Sequence, residues 1–241
     1  MRHDRDEWLV LQDVVVSRGR KTVFSSLSFA CAENRVGLVG DNGAGKSTLL
    51  RLLNGLLPAQ SGRIGVAGVD VRTDVALAMR QVGFVFQNPD HQIVFPTVLE
   101  EMTFGFKTRG CSTRESETRA VACLERYGCR DWVRASVEEL SEGQRQKLCI
   151  LAVLALEPSV IALDEPFASL DLPTRLELNA LLASLPQRVI VASHDLDLLR
   201  STDRVIWLGE GRIMKDGSPD EVISRYEEYG AALAAAGSIG L

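Results

Sequence analysis

The sequence lacks the features expected of membrane-spanning, secreted or zinc-binding proteins. Its longest uninterrupted apolar run, Leu148–Leu156, has nine residues, far fewer than the ~20 that span a bilayer. The first seven residues are mostly charged, with no apolar core behind them, so we expect no secretory signal. The five cysteines form no CxxC pair and the three histidines are scattered. This argues against a disulfide framework or a zinc site and indicates a reducing cytoplasm.

The sequence also has no excess of positive charge. Lysine and arginine total 27 against 32 aspartates and glutamates, for a formal net charge of −5. This balance argues against a dominant basic surface, and we expect no nucleic-acid partner.

The chain has 241 residues, 46% of them hydrophobic and 24% charged, which suits one large domain with a proper core. Disordered, collagen-like and low-complexity classes are therefore excluded.

Apolar runs of strand length alternate with helical patterns toward both ends of the chain. We predict strands at Leu9–Val16, Val23–Phe29, Arg35–Val39, Arg63–Val66, Val82–Phe86, Val160–Leu163, Val189–Ala192 and Val205–Leu208. We predict helices at Lys46–Leu57, Pro173–Leu185 and Asp195–Arg200. Short apolar strands separated by helices indicate an α/β fold with a mostly parallel sheet covered on both faces.

The middle of the chain has a different character. Residues from about 95 to 143 are richer in charge and read as helices without strands, so we interpret them as a helical subdomain inserted into the α/β core. Near the end, Val205–Leu208 and Arg212–Lys215 flank a glycine turn and predict a hairpin. One domain is then expected over residues 1–229, with an Ala/Gly-rich tail at 230–241.

A glycine-rich loop follows the third predicted strand and precedes a predicted helix. Its sequence, GDNGAGKS, matches the phosphate-loop pattern GxxxxGK[ST] in the context that the motif requires. The glycines let backbone N–H groups curl around phosphate oxygens, Lys46 supplies a cation, and the Ser47 hydroxyl is a ligand for Mg²⁺. The predicted nucleoside triphosphate site comprises Gly40, Asp41, Asn42, Gly43, Ala44, Gly45, Lys46, Ser47 and Thr48. The alternative, a structural turn that happens to carry Lys-Ser, is disfavoured by the flanking strand and helix.

Two acidic residues, Asp164 and Glu165, directly follow the predicted strand Val160–Leu163. A carboxylate at the C-terminal end of a parallel strand lies in the crevice where such sheets bind ligands. There Asp164 can hold Mg²⁺ through water, and Glu165 can orient or deprotonate the attacking water. Helix-capping acids in a strand-to-loop turn are the alternative, which the neighbouring phosphate loop disfavours.

A further segment indicates which phosphate-loop proteins the chain resembles. Leu140-Ser141-Glu142-Gly143-Gln144 opens an apolar helix and ends 20 residues before Asp164. With the two motifs above, it resembles ATP-binding-cassette (ABC) ATPases, whose sequence at this point is usually LSGGQ. Other motifs of that family match at Gln87, Ser169-Leu170-Asp171 and His194. The set, in this order, covers nearly the whole chain.

The resemblance implies a fold and an activity. The fold is a P-loop NTPase, an ABC-type nucleotide-binding domain with a RecA-like core, an N-terminal antiparallel β part and the inserted helical subdomain. The activity is hydrolysis of ATP with Mg²⁺. By resemblance, Ser47, Gln87 and Asp164 serve the metal, and Gln87 also links the chemistry to a partner. Glu165 polarises the attacking water, and His194 senses the γ-phosphate.

The resemblance also implies that two cassettes act together. In the family, the signature serine and nearby amides contact the ATP held by the other subunit. Ser141, Gly143 and Gln144 are therefore predicted to bind the nucleotide held by Lys46 of a second ABC ATPase subunit, either identical or a paralogue. A plain helix N-cap by Ser141 is the alternative, and it is compatible with phosphate contact.

Two positions depart from the family pattern. Glu142 stands where the family usually has glycine, and its carboxylate would repel a triphosphate unless it points outward from the first turn of the helix. Arg18 falls where the family usually has an adenine-stacking aromatic. A guanidinium can also stack on a base.

The segment beginning at Gln87 resembles one branch of the family. Its sequence QNPDHQ resembles the ATPases of energy-coupling-factor (ECF) importers, which move vitamins and transition-metal ions. The resemblance implies a peripheral subunit on the cytoplasmic face of the membrane, joined to a transmembrane coupling subunit and a substrate-binding membrane subunit. Biotin is the first candidate solute, and cobalt or nickel the next. The alternative is a non-transport ABC ATPase that remodels or regulates a protein or nucleic-acid partner.

An apolar cluster follows that segment. Ile93, Val94 and Phe95 precede Pro96, and such a cluster can either dock a helix of the membrane partner or pack inside the helical subdomain. The sequence leaves both interpretations open.

Overall fold

The computed structural model describes residues 7–19, 21–168 and 170–237. Its strands are β1 Leu9–Arg18, β2 Lys21–Cys31, β3 Arg35–Val39, β4 Ser61–Val66, β5 Val69–Asp70, β6 Val82–Val85, β7 Val160–Asp164, β8 Arg188–Ala192, β9 Arg204–Gly209 and β10 Arg212–Gly217. Its α-helices are α1 Lys46–Leu53, α2 Val75–Gln81, α3 Val98–Thr108, α4 Thr113–Arg126, α5 Glu142–Leu154, α6 Leu172–Ser184, α7 Leu196–Arg200 and α8 Pro219–Gly237. None of the helices in these ranges is both long and apolar enough to cross a membrane.

Two sheets form the framework. The larger has the order β10-β9-β3-β8-β7-β6, and its pairings are parallel except for the antiparallel β9–β10 hairpin. The smaller, β2-β1-β4-β5, is antiparallel throughout. Every residue of β7 is buried, as expected for a parallel strand covered on both faces. The predicted α/β class, with an N-terminal antiparallel part, is confirmed.

The register of the parallel strands places their C-terminal ends at one edge. Leu38 of β3 pairs with Ala192 of β8, and Ala192 also pairs with Asp164 of β7. The segments that follow these three strands begin with Gly40, Glu165 and Ser193. Residues far apart in sequence are thereby brought to one crevice, where open α/β sheets bind ligands.

Helices α3 and α4 lie between β6 and α5, together with short 3₁₀ turns at Arg130–Arg134 and Val137–Glu139. The side chains of Thr97 and Ser112 cap the two helices by accepting hydrogen bonds from backbone N–H groups. Met102 and Leu124 belong to the hydrophobic cluster that also includes residues of α5. This part of the chain is therefore packed against the core that carries the site.

Several element boundaries differ from the sequence predictions. Helix α1 ends at Leu53, not Leu57. The side-chain amide of Asn54 donates a hydrogen bond to the Val82 carbonyl, and Gly55 leaves the helical conformation with a φ of +80°. Residues 230–237, expected in an Ala/Gly tail, continue helix α8, since alanine favours helix more than any other residue. Residues 238–241 lie outside the described part of the chain.

Candidate functional site

The glycine loop between β3 and α1 has a backbone path that only small residues permit. Gly40 has a φ of +148°, and a Cβ there would lie 2.1 Å from the carbonyl oxygen of Leu208. Gly45, which precedes α1, has a φ of +106°, and its Cβ would meet the Phe24 ring at 2.6 Å. Two glycines are therefore required by geometry, and the loop brings its backbone close to whatever occupies the crevice.

Lys46 is the buried cation of this loop. Its Nζ donates to the carbonyl of Gly40 at 2.5 Å, and it lies 3.2 Å from Nε2 of His194 and 4.0 Å from Oε1 of Glu165. Burial lowers the pKa of Lys46, and the charges of Glu165, Asp164 and Asp41 act in the opposite direction. A buried ammonium held by a carbonyl is well placed to exchange that bond for the oxygen of an anion.

Ser47 and Asp164 meet at the end of β7. The Ser47 hydroxyl donates to Oδ1 of Asp164 at 2.7 Å, and Asp164 is itself buried. Gln87 follows β6 and lines the same cavity. A hydroxyl, a carboxylate and an amide oxygen are the hard donors that Mg²⁺ takes in proteins. The residues present therefore fit such an ion.

Glu165 and His194 stand opposite the loop. Glu165 has a φ of +50°; its Oε2 accepts a hydrogen bond from the backbone N–H of His194 at 3.0 Å. Its Oε1 is buried and has no hydrogen-bond partner among the residues that the structure describes, and it lies 3.5 Å from Nε2 of His194. Burial raises the pKa of Glu165, although the His194 N–H and the Lys46 charge lower it. An unpaired carboxylate oxygen with raised basicity can accept a proton or orient water.

These side chains surround a cavity of about 760 Å³. Arg18, at the position predicted to face a base, lines it together with Lys21 and Val23. Lys21 and Arg175 were not among the predicted site residues. A lone basic residue in a strand or helix carries no sequence signal, and only the fold brings these two to the cavity.

The signature segment lies elsewhere. Ser141 and Gln144 form a capping box at the start of α5: the Gln144 N–H donates to the Ser141 hydroxyl at 3.2 Å, and the Ser141 N–H donates to the Gln144 side chain at 2.9 Å. Gly143 is buried against Thr174 of α6. The described cavity lining contains none of these three signature residues. Glu142 is exposed in the first turn of α5.

The side chains of Gln92 and Gln146 hold the start of the Gln87 segment in place. The Gln92 side chain accepts from the Phe86 N–H at 3.0 Å and donates to the Cys149 carbonyl at 3.1 Å. The Gln146 amide donates to the Phe86 carbonyl at 3.3 Å. Both backbone groups of the residue before Gln87 are thus held by side chains, which fixes the start of the Gln87 segment. Gln92 is the last residue of the QNPDHQ segment noted in the sequence, whereas Gln146 was missed because its helical position gave no sign of this contact.

The structure describes part of one further predicted motif. Ser169, the first residue of the segment Ser169-Leu170-Asp171, lies outside the described residues. Asp171 caps α6 by accepting a hydrogen bond from the Thr174 N–H at 3.1 Å. Hydrogen bonding from the Thr174 side chain, and then from its backbone N–H, lowers the pKa of Asp171.

Comparison with known proteins adds context to this geometry. The family described as ABC transporter matches residues 24–168. Over 225 residues the chain is 48% identical to the biotin transport ATP-binding protein BioM of Rhodobacter capsulatus, which covers 93% of this chain and 96% of that protein. The structure of cbiO1 from Clostridium perfringens, part of the ABC transporter complex cbiONQ, aligns with a TM-score of 0.82 at 30% identity and covers 92% and 93% of the two chains. A dimeric post-hydrolysis structure of the ATP-binding cassette MJ0796, bound to ADP and Pi, aligns with a TM-score of 0.76 at 27% identity over 88% and 98%.

Proposed function

Since the chain belongs to the ABC transporter family, we propose that it is the ATP-hydrolysing subunit of an importer and works as one of a pair beside separate membrane subunits. The family and the ATPase class predicted from the motifs are confirmed by the match over residues 24–168. We infer the roles of individual residues and the metal from the contacts of the described residues, and the solute and the membrane partners from the relatives.

The cavity around the glycine loop carries the proposal. Lys46 exchanges its bond to the Gly40 carbonyl for phosphate oxygens, and the loop from Gly40 to Thr48 supplies backbone contacts to the same anion. His194, whose ring lies 3.2 Å from Nζ of Lys46, contacts the terminal phosphate. Catalysis then rests mainly on positioning and on charge neutralisation.

Glu165 orients the attacking water and accepts its proton. Its Oε2 is fixed by the His194 N–H, which leaves Oε1 free of hydrogen bonds in a buried place beside Lys46. Burial raises the pKa of Glu165 and so makes the carboxylate a stronger acceptor for the proton of an attacking water. Glu165 thus orients that water toward the phosphate.

Ser47, Gln87 and Asp164 would hold Mg²⁺. The Ser47 hydroxyl and the Asp164 carboxylate already meet at 2.7 Å. The ion, when bound, neutralises charge on the phosphates. Gln87 is exposed at the cavity wall. The backbone of its neighbour Phe86 is bonded to the side chains of Gln92 and Gln146. Through these contacts Gln87 transmits the occupancy of the site to the helical part of the chain.

A second cassette completes each site. Ser141, Gly143 and Gln144 do not line the described cavity, so in a single chain they do not reach its nucleotide. The related cassette MJ0796 is dimeric with ADP and Pi, which supports a pair in which these residues contact the nucleotide of the partner chain. Either a second copy or a paralogue suits this arrangement.

The transported solute is proposed from relatives. The similar protein of Rhodobacter capsulatus is a biotin transport subunit, and cbiO1 is part of a multi-subunit transporter complex. We therefore assign this chain to the cytoplasmic face of the membrane, beside an ECF-type transmembrane coupling subunit and a substrate-binding membrane subunit, with biotin as the first candidate and a cobalt or nickel ion as the next. Both relatives are transporter components, which does not favour the remodelling or regulatory alternative.

The Glu165→Gln variant tests the proposal. Glutamine has nearly the shape of glutamate but does not take up the proton, so we expect ATP hydrolysis to fall at least about 100-fold. ATP binding uses Lys46 and the glycine loop and should persist. The measurements are phosphate release for turnover and light scattering with and without ATP for dimerisation.

Glu157→Gln is the matched control. Glu157 also has a φ of +50° but is exposed in the loop before β7, so this variant should hydrolyse ATP at the wild-type rate. Retained hydrolysis by Glu165→Gln would mean that another group handles the water. Loss of ATP-dependent dimerisation by the same variant would contradict the division between binding and chemistry.

A further inference from the structure

Asp41 places a negative charge in the second position of the glycine loop. It lines the same cavity as Lys46, and its charge is one of those that support the protonated form of Lys46. A free carboxylate at this place would repel an incoming triphosphate. The chain must therefore either neutralise the Asp41 carboxylate or hold it aside.

Both oxygens of that carboxylate are engaged by helix α8. The Tyr226 hydroxyl donates to Oδ1 of Asp41 at 3.2 Å, and the Tyr229 hydroxyl donates to Oδ2 at 3.1 Å. The two tyrosines are three residues apart on α8 and so lie on one face of the helix. They come 185 and 188 residues after Asp41, and no known role of the site explains them.

Packing directs these hydroxyls toward the loop. Trp207 of β9 pairs with Val39 of β3, two residues before Asp41. The Trp207 ring lies 5.4 Å from the ring of Tyr226 and 5.0 Å from that of Tyr229, which places both phenols over the end of β3. Burial, together with the Asp41 charge, raises the pKa of Tyr226 to about 12. The Tyr226 hydroxyl is therefore a donor throughout the neutral range.

We propose that Tyr226 and Tyr229 are positioning residues for nucleotide binding, which act by holding the Asp41 carboxylate against α8 and away from the phosphates. This inference rests on the nucleotide site proposed above. Both tyrosine hydroxyls bond to Asp41, and among the described hydrogen bonds neither contacts Glu165 or His194. The Glu165 charge is only a minor contributor to the raised pKa of Tyr226, so we expect the pair to act on ATP affinity far more than on the chemical step. The C-terminal helix thereby becomes part of the phosphate site.

The test begins with the double variant Y226F/Y229F, which keeps both rings on Trp207 and removes both hydroxyls. We expect the Kd for a fluorescent ATP analogue and the KM for ATP to rise about fivefold, as the loss of such hydrogen bonds implies, with kcat within twofold of wild type. Tyr127→Phe, at the end of α4, is the matched control because it alters the remaining tyrosine of the chain; it should leave Kd unchanged.

A double-mutant cycle with Asp41→Asn separates positioning from simple anchoring of α8. Because the amide carries no charge, Y226F/Y229F should cost no ATP affinity in the Asp41→Asn background. An equal loss of affinity in both backgrounds would overturn the inference, as would a lowered melting temperature with unchanged Kd. Where the double variant does not fold, the single variant Tyr229→Phe in both backgrounds gives the same comparison.

The variant Lys46→Ala tests the proposed nucleotide site itself, independently of the tyrosines. Loss of ATP binding by Lys46→Ala with no effect of the tyrosine variants would overturn this inference alone. Full ATP binding by Lys46→Ala would instead overturn the nucleotide site itself, and the tyrosine inference with it.

Discussion

Polar atoms at the centre of the site are already paired with one another. Lys46 is bonded to the Gly40 carbonyl, Ser47 to Asp164, and Glu165 to the His194 N–H. These contacts hold the side chains in place before any ligand enters, which favours catalysis by preorganised groups. A nucleotide has to replace only a few of them, chiefly those of Lys46.

The two loop glycines Gly40 and Gly43 offer a residue-scale prediction. A Cβ at Gly40 would lie 2.1 Å from the Leu208 carbonyl oxygen, whereas a Cβ at Gly43 meets nothing within 4 Å. Both have positive φ, at +148° and +83°. We therefore expect Gly40→Ala to lower the free energy of unfolding by about 3 kcal/mol and Gly43→Ala by about 1 kcal/mol. Urea unfolding without nucleotide measures both.

The difference between these two variants is the informative quantity, because both add a Cβ at positive φ and only Gly40→Ala also adds a clash with the Leu208 carbonyl. Equal losses would mean that the loop relaxes away from β9 without resistance. In that case the contact between Gly40 and Leu208 does not hold the loop in place.

Much of the site was predictable at this scale, for a specific reason. The residues from Gly40 to Ser47 are contiguous, so their shared chemistry is visible in the sequence itself. Tyr226 and Tyr229 could not be found in this way, because their partner Asp41 is more than 180 residues away. The spacing of two tyrosines by three residues was visible, but nothing in the sequence linked it to the loop.

At the scale of elements, the start of α5 is fixed by two of its own side chains. Ser141 and Gln144 satisfy each other's backbone N–H groups, which gives the helix a defined beginning. The cap by Ser141, which the sequence offered as an alternative compatible with phosphate contact, is present in the structure. The close approach of α5 to α6 was not predictable, since it depends on the tertiary contact between Gly143 and Thr174.

That contact leads to a prediction about Gly143. A Cβ at this position would lie 2.4 Å from Cγ2 of Thr174, so Gly143→Ala should force α5 and α6 apart and lower the free energy of unfolding by about 2 kcal/mol. Thr174→Ser removes the offending methyl and keeps the backbone N–H that Asp171 caps. The double variant G143A/T174S should therefore regain about half of the lost free energy of unfolding, as measured by thermal unfolding.

Additive effects of the two substitutions would contradict this explanation, because residues in direct steric conflict should couple. Recovered stability without recovered hydrolysis would instead indicate that the Gly143 segment also needs its glycine for the contact proposed with the partner's nucleotide.

At the scale of the whole molecule, the nucleotide cavity and the helical part present different surfaces. The cavity lies at the C-terminal edge of the parallel sheet, while an apolar patch of Val94, Phe95 and Phe104 lies on and before α3. The Phe95 and Phe104 rings pack at 5.1 Å, yet Val94 is 73% exposed and Phe104 47%. Ile93 packs against the core. The cluster 93–95 is therefore divided: Ile93 serves packing, and Val94 remains free to dock a partner.

Val94→Asp tests whether this patch joins the chain to its proposed membrane partner. Because Val94 is mostly exposed, a charge there should change stability by less than about 0.5 kcal/mol and leave basal ATP hydrolysis unchanged. A charge facing an apolar helix of the partner would be costly, so the variant should lose co-sedimentation with membranes that hold the transporter. Met214→Asp, 39% exposed on β10, is the matched control and should still sediment. Release of both variants would point to general loss of apolar surface, and retention of Val94→Asp would place the docking surface elsewhere.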